Sequence, residues 1–118
     1  MLTSVKELGM LAIAAGARLF LFQKPMDLRN GYEGLSSKIE EYFKGKLFTG
    51  AYFIFLNRPR DKMKVLYWDN DGLAIWCKRL EKGSFSRKQF GEEMCRREFF
   101  MLLEGITPKR VQKRLRIP

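Results

Sequence analysis

The sequence predicts one α+β domain: a small antiparallel sheet packed by two main helices, with a short N-terminal helix and a basic C-terminal tail. Three observations predict it. Residues 28–44 and 89–104 carry apolar side chains at helical spacing. Between them lie three strand-like runs bounded by turn residues. Finally, 118 residues with 46% hydrophobic content suffice for one compact core but not for two, so residues 1–106 form one domain and residues 107–118 its tail.

At the N-terminus, Leu8 to Ala17 is apolar, follows Lys6 and ends in small residues, which imitates a secretory signal. Glu7 cancels the charge of Lys6, and Ser4-x-x-Glu7 has the spacing of a capping box, so a buried helix closed by Gly16 accounts for the same residues. The run is too short to span a bilayer, and Arg18 interrupts its continuation. The expected location is the cytoplasm, with no membrane partner.

Ala17 to Gln23 reads as a short strand ending near Pro25. Asp27 is placed to cap the first long helix, whose stripe is Leu28, Tyr32, Leu35, Ile39 and Tyr42 or Phe43, stopping near Gly45. Gly31 and Gly34 fall inside it and weaken it, which calls for close approach of another backbone or of a phosphate. The runs Ala51–Asn57, Met63–Asp69 and Leu73–Leu80 then predict a meander.

Asp71-Gly72 is a strong hairpin signal because the central positions of a tight primed turn favour positive φ. A two-residue turn there sets Trp68 opposite Ile75, Leu66 opposite Cys77 and Lys64 opposite Arg79, giving one apolar face. The other face, with Tyr67 beside Trp76, is either a base-stacking platform or a second buried surface under a helix. The second long helix sets Phe90, Met94, Phe99, Leu102 and Leu103 toward the core and ends at Gly105.

Twenty-three Lys and Arg against 13 Asp and Glu, without histidine, give a charge of +10, which points to a polyanion partner. Three cationic groups are candidates for phosphate contact: Arg58, Arg60, Lys62 and Lys64 around a turn; Lys78, Arg79 and Lys82 at a strand end; and Lys109, Arg110, Lys113 and Arg114 in the tail. The predicted register makes the first two groups neighbours.

Catalysis is not expected. A triad lacks its histidine base, and no glycine-rich phosphate loop is present. Of the carboxylates available for a two-metal site, Asp27, Asp69, Asp71 and Glu81, Asp27 has a capping role, Asp71 a turn role, and Glu81 lies among Lys78, Arg79 and Lys82. Cys77 and Cys95 fit buried thiols better than a metal site, so no cofactor, metal or small-molecule substrate is expected.

Pro25-Met26-Asp27-Leu28-Arg29-Asn30-Gly31-Tyr32-Glu33-Gly34-Leu35 resembles a signature of the TnpB-type accessory proteins of insertion-sequence family sixty-six. Further matches are Lys64-Val65-Leu66-Tyr67-Trp68-Asp69, Gly72, the run Lys78-Arg79-Leu80-Glu81-Lys82-Gly83-Ser84-Phe85, and Leu102-Leu103-Glu104-Gly105-Ile106. The motifs cover roughly residues 17–106 in the expected order. Met26 and Asn30 replace a threonine and a lysine of that pattern, which leaves Arg29 as the first motif's only cation. The resemblance implies a non-catalytic accessory protein in transposition, with DNA and the element's separate transposase as partners. The competing expectations are a protein-interaction module without DNA contact and an RNA-binding regulator.

Overall fold

The structure, a computed structural model, describes residues 13–86 and 89–106. Its elements are β1 (Leu19–Leu21), α1 (Tyr32–Tyr42), β2 (Tyr52–Leu56), β3 (Lys62–Asp69), β4 (Gly72–Arg79), β5 (Glu93–Met94), α2 (Arg96–Leu103) and a final 3-10 turn, Glu104–Ile106. They build a five-stranded sheet in the order β4-β3-β2-β1-β5.

The sheet is mixed, which corrects the expected antiparallel one. β1 runs parallel to β2, with Phe20 opposite Phe53, while every other pairing is antiparallel. Two parallel strands cannot be joined by a tight turn, and α1 supplies the crossover between them. Sequence reading treats the strand at residues 17–23 as a lead-in to a turn because nothing in its pattern names its partner.

Both helices are shorter than expected. The first begins at Tyr32, with Gly31 as its N-cap, rather than at residue 28. Residues 27–30 instead close a separate turn, in which the Asn30 amide donates to the Asp27 carbonyl at 3.2 Å and the Asn30 side-chain amide donates to the same oxygen at 2.9 Å. Asp27 therefore caps that turn and not the helix. Leu35, Ile39 and Phe43 are buried at the helical i, i+4, i+8 spacing, whereas Tyr32 and Tyr42 are half exposed.

The expected helix over 89–104 splits. Glu93 and Met94 pair with Phe20 and Leu19 as the edge strand β5, anchored by Arg18, whose Nε and Nη2 donate to the Glu93 carboxylate at 2.8 and 3.0 Å. Only then does α2 start, and Glu98 reaches back to accept the Cys95 amide at 3.0 Å. The short N-terminal helix has no counterpart in residues 13–17, where the Ala17 amide donates to Ala14 and Gly16 takes φ +83°; its remainder, and the tail 107–118, lie outside the described residues.

The β3–β4 hairpin keeps the expected faces with a register moved by two. Asp69 pairs with Gly72, so the loop residues are Asn70 and Asp71, and Asn70 rather than Gly72 takes the left-handed conformation at φ +63°. The shift matches Leu66 to Ile75 and Val65 to Trp76 in place of Cys77 and Lys78, and sets Lys64 opposite Cys77 instead of Arg79. The apolar cross-strand pairs favour it, while Arg79 meets Lys62 in place of Lys64 at the strand end.

Each face of the sheet carries a core. On one side Phe20, Phe53 and Phe55 pack with Leu35, Ile39 and Phe43 of α1, and the Phe20 and Phe53 rings stack at 5.6 Å. On the other, Val65 and Tyr67 lie under Phe85, Phe90, Phe99 and Leu102, with Trp76 partly buried beside them. The Tyr67 face is thus core and not an open stacking platform. Cys77 and Cys95, expected to be buried, are both exposed thiols.

Segment 80–86 explains the glycine-to-phenylalanine spacing of its motif. Gly83 takes φ +77°, and Phe85 then turns fully into the core while its amide donates to the Arg60 carbonyl at 2.7 Å. Gly105, expected as a helix cap, lies where an added Cβ would strike the Ser86 backbone. Truncating so deeply buried a ring leaves a cavity; Phe85→Ala should cost about 3–5 kcal/mol, measured as a fall in the urea midpoint at unchanged denaturant slope.

Candidate nucleic-acid interface

A cleft of about 480 Å³ lies between the segment before α1 and the β2–β3 turn, lined by Pro25, Met26, Asp27, Leu28, Arg29, Asn57, Arg58 and Lys62. Its two walls are held together by the Met26 amide, which donates to the Leu56 carbonyl at 2.8 Å as the chain leaves β1. The lining carries three cations against one carboxylate.

Asn57 builds the turn wall. Its side-chain oxygen accepts the amides of Asp61 and Lys62 at 3.1 and 3.0 Å, and its side-chain nitrogen donates to Asp61 Oδ1 at 2.7 Å. That side chain mimics a backbone turn, and Arg58 and Pro59 are left at the exposed tip. Asn57 was missed as a site residue on sequence, although an Asn opening an Arg-Pro-Arg-Asp turn is a readable signal.

On the facing wall Asp27 and Arg29 form a bidentate pair, with Nε donating to Oδ1 at 3.0 Å and Nη2 to Oδ2 at 2.6 Å, and the Arg29 amide also donates to Oδ1 at 3.0 Å. The Arg29 side chain remains 91% exposed. The hydrogen bonds from the guanidinium and from the amide hold the Asp27 carboxyl down at about 2. The family-like motif thus presents a fixed, partly neutralised guanidinium at the mouth of the cleft.

The structure separates the expected cations. Arg29, Arg58 and Lys62 meet at the cleft, and Lys62 pairs across the strands with Arg79, extending the positive end onto β4. Lys78, opposite Met63, lies on the other face of the same strand end, and Lys82 is exposed in the bend beyond it. Arg60 and Lys64 have structural partners. The Arg60 guanidinium donates to the Ser86 carbonyl at 3.1 and 2.5 Å from a residue at φ +62°, and the Lys64 ammonium donates to the Asn30 carbonyl at 2.9 Å. Lys109, Arg110, Lys113 and Arg114 lie outside the described residues.

The remaining motif residues hold the frame. Gly34 sits where a Cβ would meet the Asn30 side chain, a closer neighbour than any other backbone. The Trp68 ring packs nearly perpendicular to the exposed Phe48 ring, with centroids 5.2 Å apart. Leu80 donates its amide to the Asp61 carbonyl at 2.8 Å, and Glu81 reaches Arg79 at 3.5 Å.

The family profile described as IS66 Orf2 like protein matches residues 17–113. The chain belongs to the IS66 Orf2-like family. Two relatives from Sinorhizobium fredii (strain NBRC 101917 / NGR234) are similar to it. The uncharacterized protein y4jC is 28% identical over 108 residues, covering 89% of this chain and 92% of the relative, and y4hO is 29% identical over 76 residues, covering 64% and 66%. No solved structure matches the chain. Membership of an IS66 Orf2-like family associates the protein with transposition of an insertion sequence. Among the described residues no helix is long and apolar enough to cross a membrane.

The Asp27–Arg29 pair makes a titration prediction. Because the folded value lies near 2, below an ordinary carboxyl near 3.8, the pair's contribution is complete above about pH 4 and disappears as pH falls through 2. Carboxyl-detected NMR should give a midpoint near 2 for Asp27, and Arg29→Gln should return it toward its ordinary value. An unchanged midpoint in that variant would show that the guanidinium is not the cause.

Proposed function

We propose that the protein is a non-catalytic accessory factor in transposition that binds DNA through the positive end of its sheet and works there with the element's transposase. One observation carries the reading: three sequence-distant segments, 25–29, 57–62 and 78–79, bring Arg29, Arg58, Lys62 and Arg79 to one end of the molecule. Charges gathered in this way follow a phosphate backbone without selecting bases. Membership of a transposition-associated family supports DNA over other polyanions.

The cleft's lining adds Pro25, Met26 and Leu28 to the cations, and Asp27, its only carboxylate, is committed to Arg29. It offers positioning rather than bond-breaking chemistry. Glu81, once a candidate metal ligand, faces Arg79, and Asp71 stays in the hairpin loop. These placements support a binding role.

If about six phosphates are neutralised, log affinity for random duplex DNA should fall with log salt at a slope of about −5. Arg58→Ala with Lys62→Ala should flatten the slope by about two, and deletion of residues 107–118 by several units. Fluorescence anisotropy across a salt series measures both. Slopes unchanged by both changes would move the interface elsewhere, and absence of duplex binding at moderate salt would favour a protein-interaction module.

A further inference from the structure

β4 is an edge strand, and the phase of its pairing tells which backbone groups face away from the sheet. In an antiparallel pair, alternate residues exchange hydrogen bonds with the neighbouring strand. The Leu80 amide donates to the Asp61 carbonyl, so Gly72, Ala74, Trp76 and Lys78 direct their backbone groups toward β3. Leu73, Ile75, Cys77 and Arg79 direct theirs outward. The other side of β3 agrees, because the Asn57 amide donates to the Lys62 carbonyl and turns the alternate residues toward β2.

Native edges are usually blunted by proline, a bulge or mid-strand charge. Between Gly72 and Cys77, β4 has none of these: Leu73, Ala74, Ile75 and Trp76 form a half-buried apolar run paired to β3 without interruption. The loop just before the strand carries Asp71, and the strand itself ends in Lys78 and Arg79, so the two ends differ in sign. A strand of that pattern is complementary to a copy of itself running the other way.

We propose that two copies of this chain pair antiparallel through β4, fusing their five-stranded sheets into one continuous sheet about a twofold axis. The outward residues must supply the new hydrogen-bonded pairs. Centring on Ile75 sets Ile75 against Ile75 of the second copy and Leu73 against its Cys77, and brings the side chain of the loop residue Asp71 to the neighbourhood of its Arg79. Moving the centre to Trp76 would set Asp71 against Glu81, a like-charge pair that disfavours that register. Arg79 reaches its own Glu81 at 3.5 Å with both side chains largely exposed, a contact that competes weakly with the new one. The dimer covers the apolar run and leaves the cleft with Arg29, Arg58 and Lys62 open on each side of the axis, while Arg79 lies near the second copy's Asp71.

Sedimentation equilibrium of the full chain should give twice the 13.9 kDa monomer mass. Ile75→Pro removes an outward amide and spares the bonds to β3, so it should give a folded monomer. Should that variant misfold, Leu73→Cys in a Cys95→Ser chain provides an independent test. Hydrogen-bonded antiparallel partners lie about 5.5 Å apart at Cα, within disulfide range, so an added oxidant should yield a covalent dimer through Cys77. Adding Cys77→Ser should abolish it. A monomer at all accessible concentrations, or a dimer that gives no such crosslink, overturns the proposal. Neither outcome depends on DNA binding.

Discussion

Burying Phe85 requires the backbone after β4 to be tied down, and the tie is the turn between β2 and β3. Asn57 closes that turn with its own side chain, and the carbonyls of Arg60 and Asp61 accept the amides of Phe85 and Leu80. Arg60, held at positive φ, then grips the Ser86 carbonyl. One five-residue loop thus fixes the lid of one core and, on its other side, one wall of the cationic cleft. The cations of this one turn therefore differ in setting: Arg58 and Lys62 line the cleft, whereas the Arg60 guanidinium is hydrogen-bonded to the Ser86 carbonyl.

The cleft's other wall depends on the parallel pairing of β1 and β2. A parallel neighbour forces the chain to leave β1, cross the sheet through α1 and return. The departing segment runs beside β2 as far as Met26, then breaks into the Asp27–Asn30 turn before the helix begins. The motif shared with the family is therefore the entry to a crossover, and its Asp and Arg are paired with each other at the surface. The Lys64 ammonium fastens the same turn to β3 through the Asn30 carbonyl.

Much of this was legible in the sequence. Periodicity located Leu35 and Ile39, alternation located the three central strands and their faces, and motif order identified the family. What escaped has physical causes. Strand partnership is a long-range property, so three residues at Leu19–Leu21 could not announce a parallel neighbour. The two registers of β3 and β4 conserve the faces and differ only in which pairs match, and Asn70 can hold the left-handed position that Gly72 was expected to take. Residues 89–95 have helical spacing, yet the Arg18–Glu93 pair and the open edge of β1 draw them into a strand. The cross-strand partner of Arg79 was misread as Lys64, and cation availability was not readable, because it is decided by carbonyls such as those of Ser86 and Asn30.

The central claim is that segments far apart in sequence form one DNA-facing end. Amide chemical-shift mapping during titration of the labelled protein with a short duplex tests it most directly. The account predicts perturbations that cluster at residues 25–29, 57–62 and 78–79 and leave α2 and β5 unmoved. Shifts centred on α2, or confined to the tail with the cleft silent, would contradict it.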